Sequence, residues 1–232
     1  EFTANVSHEL KTPLTSISGF AEMIESGMVK PADVPTFAKR IHREAKRMIA
    51  LVADILQLSE LDSMGDKKQQ KEIVPEPVDL AELLRDIAAN MTVNAGKTYV
   101  TLECNAAPAV VQGSSDLLAE LATNLCDNAI RYNRPGGKVV LSCGTAADGS
   151  PWLSVEDNGI GIPKESQTRV FERFYRVDKS RSKATGGTGL GLAIVKHIAM
   201  LHGARIDLKS QVGTGTTIRV TFPAAPAAPA GA

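Results

Sequence analysis

Val6, Leu10, Leu14, Ile17, Ala21 and Ile24 recur at steps of three and four, which is the apolar stripe of one helix face. A second run, Phe37, Ile41, Ala45, Met48, Val52 and Ile55, continues the same step through Leu58 or Ser59 and Leu61 or Asp62. The first helix is predicted over Phe2–Met28, with a kink or loosening at Pro13 and closure by Gly27 and Pro31. Asp33 is expected to cap the second helix, with Pro35 in its first turn. Two long amphipathic helices with a short connection make an antiparallel hairpin. One hairpin has two apolar stripes and no closed core, so pairing of two hairpins into a four-helix bundle, a homodimer, is expected.

Ser63–Glu72 is polar and charged and reads as a linker. Beyond it strands and helices alternate irregularly. Strands are predicted at Ile73–Val78, Tyr99–Glu103, near Val110, and at Lys138–Thr145, Trp152–Glu156, Ala204–Ser210 and Thr216–Phe222. Helices are predicted at Leu80–Asn94, from a cap at Ser114 or Ser115 to Tyr132, and at Leu190–His202, where Gly203 ends the run. Asp148-Gly149 marks a turn. Pro163–Gly187 reads as a mobile loop with one short helix. The fold class is therefore α+β: a helical hairpin (1–64), a linker (65–72) and an α/β sandwich (73–223) of one mixed sheet with helices on one face. The Ala- and Pro-rich tail 224–232 is expected to be disordered.

The 232 residues are 43% hydrophobic and 22% charged with zero formal net charge. That balance gives no reason to expect nucleic acid or an anionic membrane as a partner. No apolar run reaches the length of a membrane span, and no signal peptide opens the chain. Cys104, Cys126 and Cys143 are odd in number and set in apolar surroundings. They read as reduced core residues of an intracellular protein.

Several polar groups stand where a fold does not need them. His8 and Glu9 fall outside the first stripe, so the imidazole is expected in solvent beside a carboxylate. A neutral imidazole is nucleophilic at one nitrogen, and a neighbouring carboxylate can accept the proton from the other. A solvated side chain is the plain alternative. Zinc is not indicated, because His-Glu-x-x ends in Thr12 and the second histidine is missing. Asn124, Asn128 and Arg131 lie four and three apart on one helix face. Two amide oxygens and a guanidinium suit a divalent cation with an oligophosphate; a solvated helix face is the alternative.

Asp157-Asn-Gly159-Ile-Gly161 follows an apolar strand. Its glycines let backbone approach a flat ligand, and its carboxylate can read an exocyclic amine such as that of adenine; a simple turn is the alternative. Gly186-Gly187-Thr188-Gly189-Leu190-Gly191 opens an apolar helix whose free N–H groups favour phosphate. It is neither a dinucleotide fingerprint nor a P-loop. Gly213-Thr-Gly215-Thr216 is a tight turn into the last strand.

In order, His-Glu-Leu-Lys-Thr-Pro, Asn-Leu-x-x-Asn-Ala, Asp-x-Gly-x-Gly, Phe171-Glu-Arg-Phe174-Tyr-Arg and Gly-Thr-Gly-Leu-Gly-Leu resemble the phosphoacceptor, N, G1, F and G2 boxes of sensor histidine kinases. The likeness is to the phosphate-regulon type and spans Phe2 to Phe222. It implies a dimerisation and histidine-phosphotransfer hairpin followed by a Bergerat-type ATP-binding domain. His8 would be phosphorylated, with Glu9 as acid/base partner. Thr12 would orient water when the enzyme dephosphorylates its partner.

The resemblance further implies ATP and Mg²⁺. Asn124 would hold the metal, with Asn128 and Arg131 near the phosphates and Tyr132 against the nucleotide. Asp157 would bind the adenine amine with support from Thr216. Pro163–Gly187 would be the ATP lid, anchored by Phe171 and Phe174, with Arg176 reaching the γ-phosphate. Gly187, Gly189 and Gly191 would cradle phosphates. Arg131 stands where the family commonly has Lys. Glu120 occupies the place where related ATPases carry a water-activating carboxylate, although a surface carboxylate is the simpler reading.

The implied partner is a response-regulator receiver domain, phosphorylated on an aspartate. The rivals are a non-catalytic ATP-binding dimeric scaffold and a Bergerat-fold ATPase. The chain is expected to be the cytoplasmic core of a longer, membrane-anchored protein, with no membrane contact of its own.

Overall fold

In a computed structural model, which describes residues 2–65, 75–178 and 187–224, two long helices precede a mixed sheet. Helix α1 (Phe2–Glu25) runs unbroken through the buried Pro13. It ends three residues earlier than Met28, where Ser26 and Gly27 turn back onto Glu22 and Ile24. Asp33 does not stand as a simple cap; it lies in a 3-10 turn, Pro31–Asp33, that leads directly into α2 (Val34–Gly65). At the closed end of the hairpin the Phe20 and Phe37 rings meet edge to face at 5.6 Å.

The two halves of α2 have different partners. Its first half packs along α1. Further on, Leu51, Leu58 and Leu61 are buried in the same core as the sheet domain, against α5 (Gly191–Leu201). Leu14, expected on the buried stripe, is instead 54% exposed, and Ile49, Val52 and Leu56 face outward too. One hairpin cannot cover both sides of its helices. The proposed linker lies almost wholly outside the described residues, as do the first residues of the strand predicted from Ile73 and nearly all of the tail.

The remaining elements are β1 (Glu76–Asp79), α3 (Leu80–Lys97), β2 (Thr101–Ala106), β3 (Val110–Gly113), α4 (Ser115–Arg131), β4 (Lys138–Thr145), β5 (Pro151–Asp157), β6 (Arg205–Gln211) and β7 (Gly215–Thr221). Side-chain caps fix two helix starts. Asp79 accepts the Ala81 N–H at 2.8 Å, and Ser114 accepts that of Leu117 at 3.5 Å.

The expected single sheet is two. A five-stranded sheet runs β2-β4-β5-β7-β6, with only the β2/β4 pair parallel. Strands β1 and β3 form a separate antiparallel pair. Helices α3 and α4 pack on the larger sheet, and α5 packs on α4. Leu141, Leu153 and Val220 from the sheet and Leu118, Leu121, Ile194 and Ile198 from the helices form a fully buried layer. Period-two alternation turns Trp152 away from Leu153; its ring lies 3.9 Å from the Arg219 guanidinium.

Burial of Cys126 and Cys143 agrees with their core reading, while Cys104 is half-buried against the same core. Cys126 is pushed up to about 12 and Cys143 to about 11, chiefly by desolvation, so neither is a thiolate at neutral pH.

Candidate active site

A cavity of about 520 Å³ opens between α4, the end of β5, the segment after it and the start of α5. Asn124, Asn128 and Arg131 line it from one face of α4, as their spacing requires. Arg131 pairs with Asp127 one turn earlier. Tyr132, Asp157, Gly161, Arg176, Gly187, Thr188, Gly189, Gly191 and Thr216 complete the predicted lining. Gly159, Phe171, Phe174 and Leu190 do not line it. Leu190 is wholly buried beneath the loop, and Phe174 packs on the core while its N–H donates to Gly189 at 2.9 Å. A Cβ at Gly159 would collide with the Tyr132 carbonyl.

Asp157 Oδ1 accepts the Gly159 N–H at 2.8 Å. Burial raises its carboxyl above the ordinary range despite that bond and one from the Thr216 backbone. The Thr216 hydroxyl meets that of Ser210 at 2.9 Å. Gly161 has φ +70°, and a Cβ there would collide with the Gln211 carbonyl, so no other residue fits this turn. Apolar walls come from Ile160, Ile162, Val170, Val212 and Ile218; their sequence signal was that of ordinary core.

Polar and apolar walls divide the cavity. One end can take a flat ring against aliphatic side chains with a carboxylate at its edge. The other offers amides, a guanidinium and the glycine-rich start of α5, which suit phosphate oxygens. Among the described residues no cluster of three His, Cys, Asp or Glu side chains can hold a metal. The donors present nevertheless fit Mg²⁺, which binds through few protein oxygens together with substrate phosphates. A Cβ at Gly191 would stand 2.8 Å from Asn124 Oδ1 and 3.6 Å from Asn128 Nδ2. The missing side chain leaves a cradle beside an amide oxygen.

The hairpin contributes to this site in ways the sequence did not announce. Ala50 and Asp54 of α2 line the cavity. Thr188 donates to Asp54 Oδ2 at 2.6 Å, and desolvation raises the Asp54 carboxyl. Arg176, with 4% of its side chain exposed, donates to the Thr188 carbonyl at 2.6 Å and to Glu9 Oε2 at 3.1 Å. Its Nε is buried without a partner among the described residues. Asp62 Oδ1 receives both Arg173 at 2.6 Å and His197 at 2.7 Å.

His8 is exposed on α1, as expected. Glu9, however, is engaged by Arg176 and by Arg47 of α2 rather than by the imidazole. Thr12 donates its hydroxyl to the His8 carbonyl at 3.2 Å. Glu120 is half-buried, hydrogen-bonded to Gln57 and raised by desolvation. It is therefore not a free surface carboxylate, and it does not line the cavity.

Residues 1–63 match the family described as the His Kinase A (phospho-acceptor) domain, and residues 113–226 match the histidine kinase-, DNA gyrase B- and HSP90-like ATPases. The structure of a mycobacterial sensor histidine kinase, MprB, is 31% identical over 66% of this chain and 99% of that one, with a TM-score of 0.57. The chain belongs to the sensor histidine kinases. The sensor-like histidine kinase SenX3 of Mycolicibacterium smegmatis is 40% identical over 97% of the chain, which spans 58% of SenX3. A complex of the histidine kinase ThkA with the response regulator TrrA shares the fold over 97% of this chain and 61% of ThkA, with a TM-score of 0.75 at 21% identity. As in this family, an ATP-binding domain follows a helical hairpin. No helix of the described residues is long and apolar enough to cross a membrane.

Proposed function

We propose that this chain is an ATP-dependent protein-histidine kinase that phosphorylates itself on His8 and passes the phosphoryl group to an aspartate of a response regulator. The observation that carries this reading is the pairing of an exposed imidazole on α1 with a cavity whose lid arginine, Arg176, already reaches the residue after it, Glu9. Asp157 and the apolar wall take the adenine, with Thr216 in support and Tyr132 against the nucleotide. Asn128, Arg131 and the backbone of Gly187, Thr188, Gly189 and Gly191 take the phosphates. Phe171 and Phe174 anchor the lid.

Arg176 leaves Glu9 and pairs with the γ-phosphate. The unprotonated nitrogen of His8 attacks the γ-phosphorus, the bond to the β,γ-bridging oxygen breaks, and ADP leaves. Glu9 accepts the proton from the other ring nitrogen. Mg²⁺ held through Asn124 would neutralise developing phosphate charge, which is most of what such a transfer asks of a site. An aspartate of the partner then attacks the phosphorus, breaking the P–N bond and returning the electron pair to the imidazole. Thr12 orients water in the reverse service, hydrolysis of the partner's aspartyl phosphate.

The outward stripe of Ile49, Val52 and Leu56 supports a homodimer closed through a four-helix bundle. The boundaries 1–64, 65–72 and 73–223 fit two functional units joined by a linker. The kinship with SenX3, of which the chain spans 58%, supports the phosphate-regulon type and a place within a longer protein; we read that protein as membrane-anchored with this part on the cytoplasmic side. Glu120, tied to Gln57 and outside the cavity lining, gives no support to an ATPase reading.

The test is incubation of the purified chain with γ-labelled ATP and Mg²⁺. Label stable to alkali, lost in acid and absent from His8→Gln is expected. Label on another residue overturns the reading.

A further inference from the structure

Glu9 sits between two guanidiniums. Arg176 of the lid approaches Oε2 at 3.1 Å, and Arg47 of α2 approaches the same oxygen at 3.7 Å. Arg47 has only 9% of its side chain exposed, and its second terminal nitrogen lies 3.8 Å from Glu44 Oε2. A buried guanidinium is costly unless it is paired. The helices could have placed an aliphatic residue here with less cost, because hairpin packing needs no charge at this position.

Resting on the reading of Glu9 as the acid/base partner of His8, we infer that Arg47 is a positioning residue for the phosphoryl transfer. It holds the Glu9 carboxylate when Arg176 departs. The Arg176 Nη2 now serves both Glu9 and the Thr188 carbonyl, so turning that end of the guanidinium to a γ-phosphate takes it from Glu9. When Arg176 turns to the nucleotide, Glu9 loses its nearer counter-ion. Without Arg47 the half-buried carboxylate would be left unpaired at the moment it must take a proton. Arg47 also repels the Arg176 charge, so it weakens the very contact that must open. Glu44 holds the other edge of Arg47 and keeps the guanidinium aimed across the hairpin.

The test is a double-mutant cycle on the full chain, reading kcat and KM(ATP) for His8 labelling in wild type, Arg47→Gln, Glu9→Gln and the double variant. Arg47→Gln is expected to lower kcat about tenfold, a part of the 10²–10⁴ that a positioned acid–base group supplies, with KM(ATP) changed less than about threefold. In the Arg47→Gln background, Glu9→Gln is expected to cost much less than it does alone. Arg47→Lys, which keeps the charge, is expected to recover most of the rate, and it serves as the probe should Arg47→Gln fail to bind nucleotide or fold.

A wild-type kcat in Arg47→Gln overturns the inference. So do losses that simply multiply in the double variant, and so does an Arg47→Lys variant no better than Arg47→Gln. If Glu9→Gln alone labels at the wild-type rate, the reading of Glu9 fails and the inference falls with it. If Glu9→Gln is slow but Arg47→Gln is not, the inference alone fails.

Discussion

Thr188 donates its hydroxyl to Oδ2 of Asp54 at 2.6 Å, so a carboxylate of the hairpin closes one wall of the nucleotide cavity. A polyphosphate entering that cavity meets a like charge and competes for the glycine-rich loop. Asp54→Asn keeps the shape and an acceptor for Thr188 but removes the charge. It is expected to tighten nucleotide binding by on the order of 1 kcal/mol, about fivefold, as a screened charge pair would.

The Asp54 carboxyl is raised by burial, opposed by the Thr188 hydrogen bond and the Arg131 charge. It is therefore neutral below that raised value and charged above it. The affinity gap between Asp54→Asn and wild type should narrow as pH falls through it. Titration of a fluorescent ATP analogue over a pH series reads both effects; equal affinities at neutral pH would reject the repulsion.

A second tie between hairpin and ATP domain is the Asp62 carboxylate, whose Oδ1 takes both Arg173 and His197. These groups are partly exposed, so each pair is worth roughly 0.2–1 kcal/mol and is weakened by salt. Asp62→Ala is expected to shift the docked arrangement toward separation of the two parts. Small-angle scattering should show a larger radius of gyration than wild type at low salt, with the difference shrinking at high salt. Identical profiles at low salt would mean that the docking is held without Asp62, by the apolar contact of Leu58 and Leu61 and the Thr188–Asp54 and Arg176–Glu9 ties.

The docked surface is also the part of the molecule least legible in the sequence. The α4 spacing placed Asn124, Asn128 and Arg131 on the cavity, because a helix period fixes a face. The strands β4 and β5 are legible nearly to the residue, because alternation and the Asp148-Gly149 turn fix them. Leu51, Asp54, Gln57 and Asp62 were not legible as one surface. Periodicity says that a face is apolar; it does not say which neighbour covers it, and α2 changes neighbour midway. Nothing in the spacing of Asp54 and Gln57 marks them as facing the sheet domain that packs opposite them. The four residues of β1 carry no signal that their partner is β3 and not the main sheet. Arg47 was invisible because a lone arginine on a helix is ordinarily solvent-facing.

Gly191 offers a test of the cradle that spares the fold. It is helical, so alanine there is tolerated by the backbone and improves helix propensity by up to about 1 kcal/mol. The new Cβ would stand 2.8 Å from Asn124 Oδ1 and push that amide aside. Gly191→Ala is expected to melt within a few degrees of wild type while losing about tenfold in ATP affinity, and calorimetry with and without Mg²⁺ should show most of the loss only when Mg²⁺ is present. A loss of equal size without the metal would place the damage at the phosphates and not at Asn124.

Asp157 sets stability against binding. Its carboxyl is raised mainly by burial, even though the Gly159 and Thr216 backbones donate to it. A carboxyl whose folded value lies above its unfolded value binds a proton more readily in the native state. Its contribution to stability is therefore greatest at low pH and falls as pH rises from the ordinary carboxyl range through the raised one. Asp157→Asn removes that fall, so its melting temperature relative to that of wild type should rise with pH across this window.

The same substitution replaces a pure acceptor by an amide at the edge of the ring pocket. With the acceptor for the adenine amine weakened, nucleotide affinity should drop about tenfold or more, the 1.4 kcal/mol or so of one lost buried hydrogen bond. Thermal melts of both proteins with and without ADP, from the carboxyl range to neutral pH, read the two effects together. A variant that keeps the wild-type pH slope would show that Asp157 is ionised in the folded chain as readily as in water, and one that keeps the wild-type ADP stabilisation would show that it does not read the base.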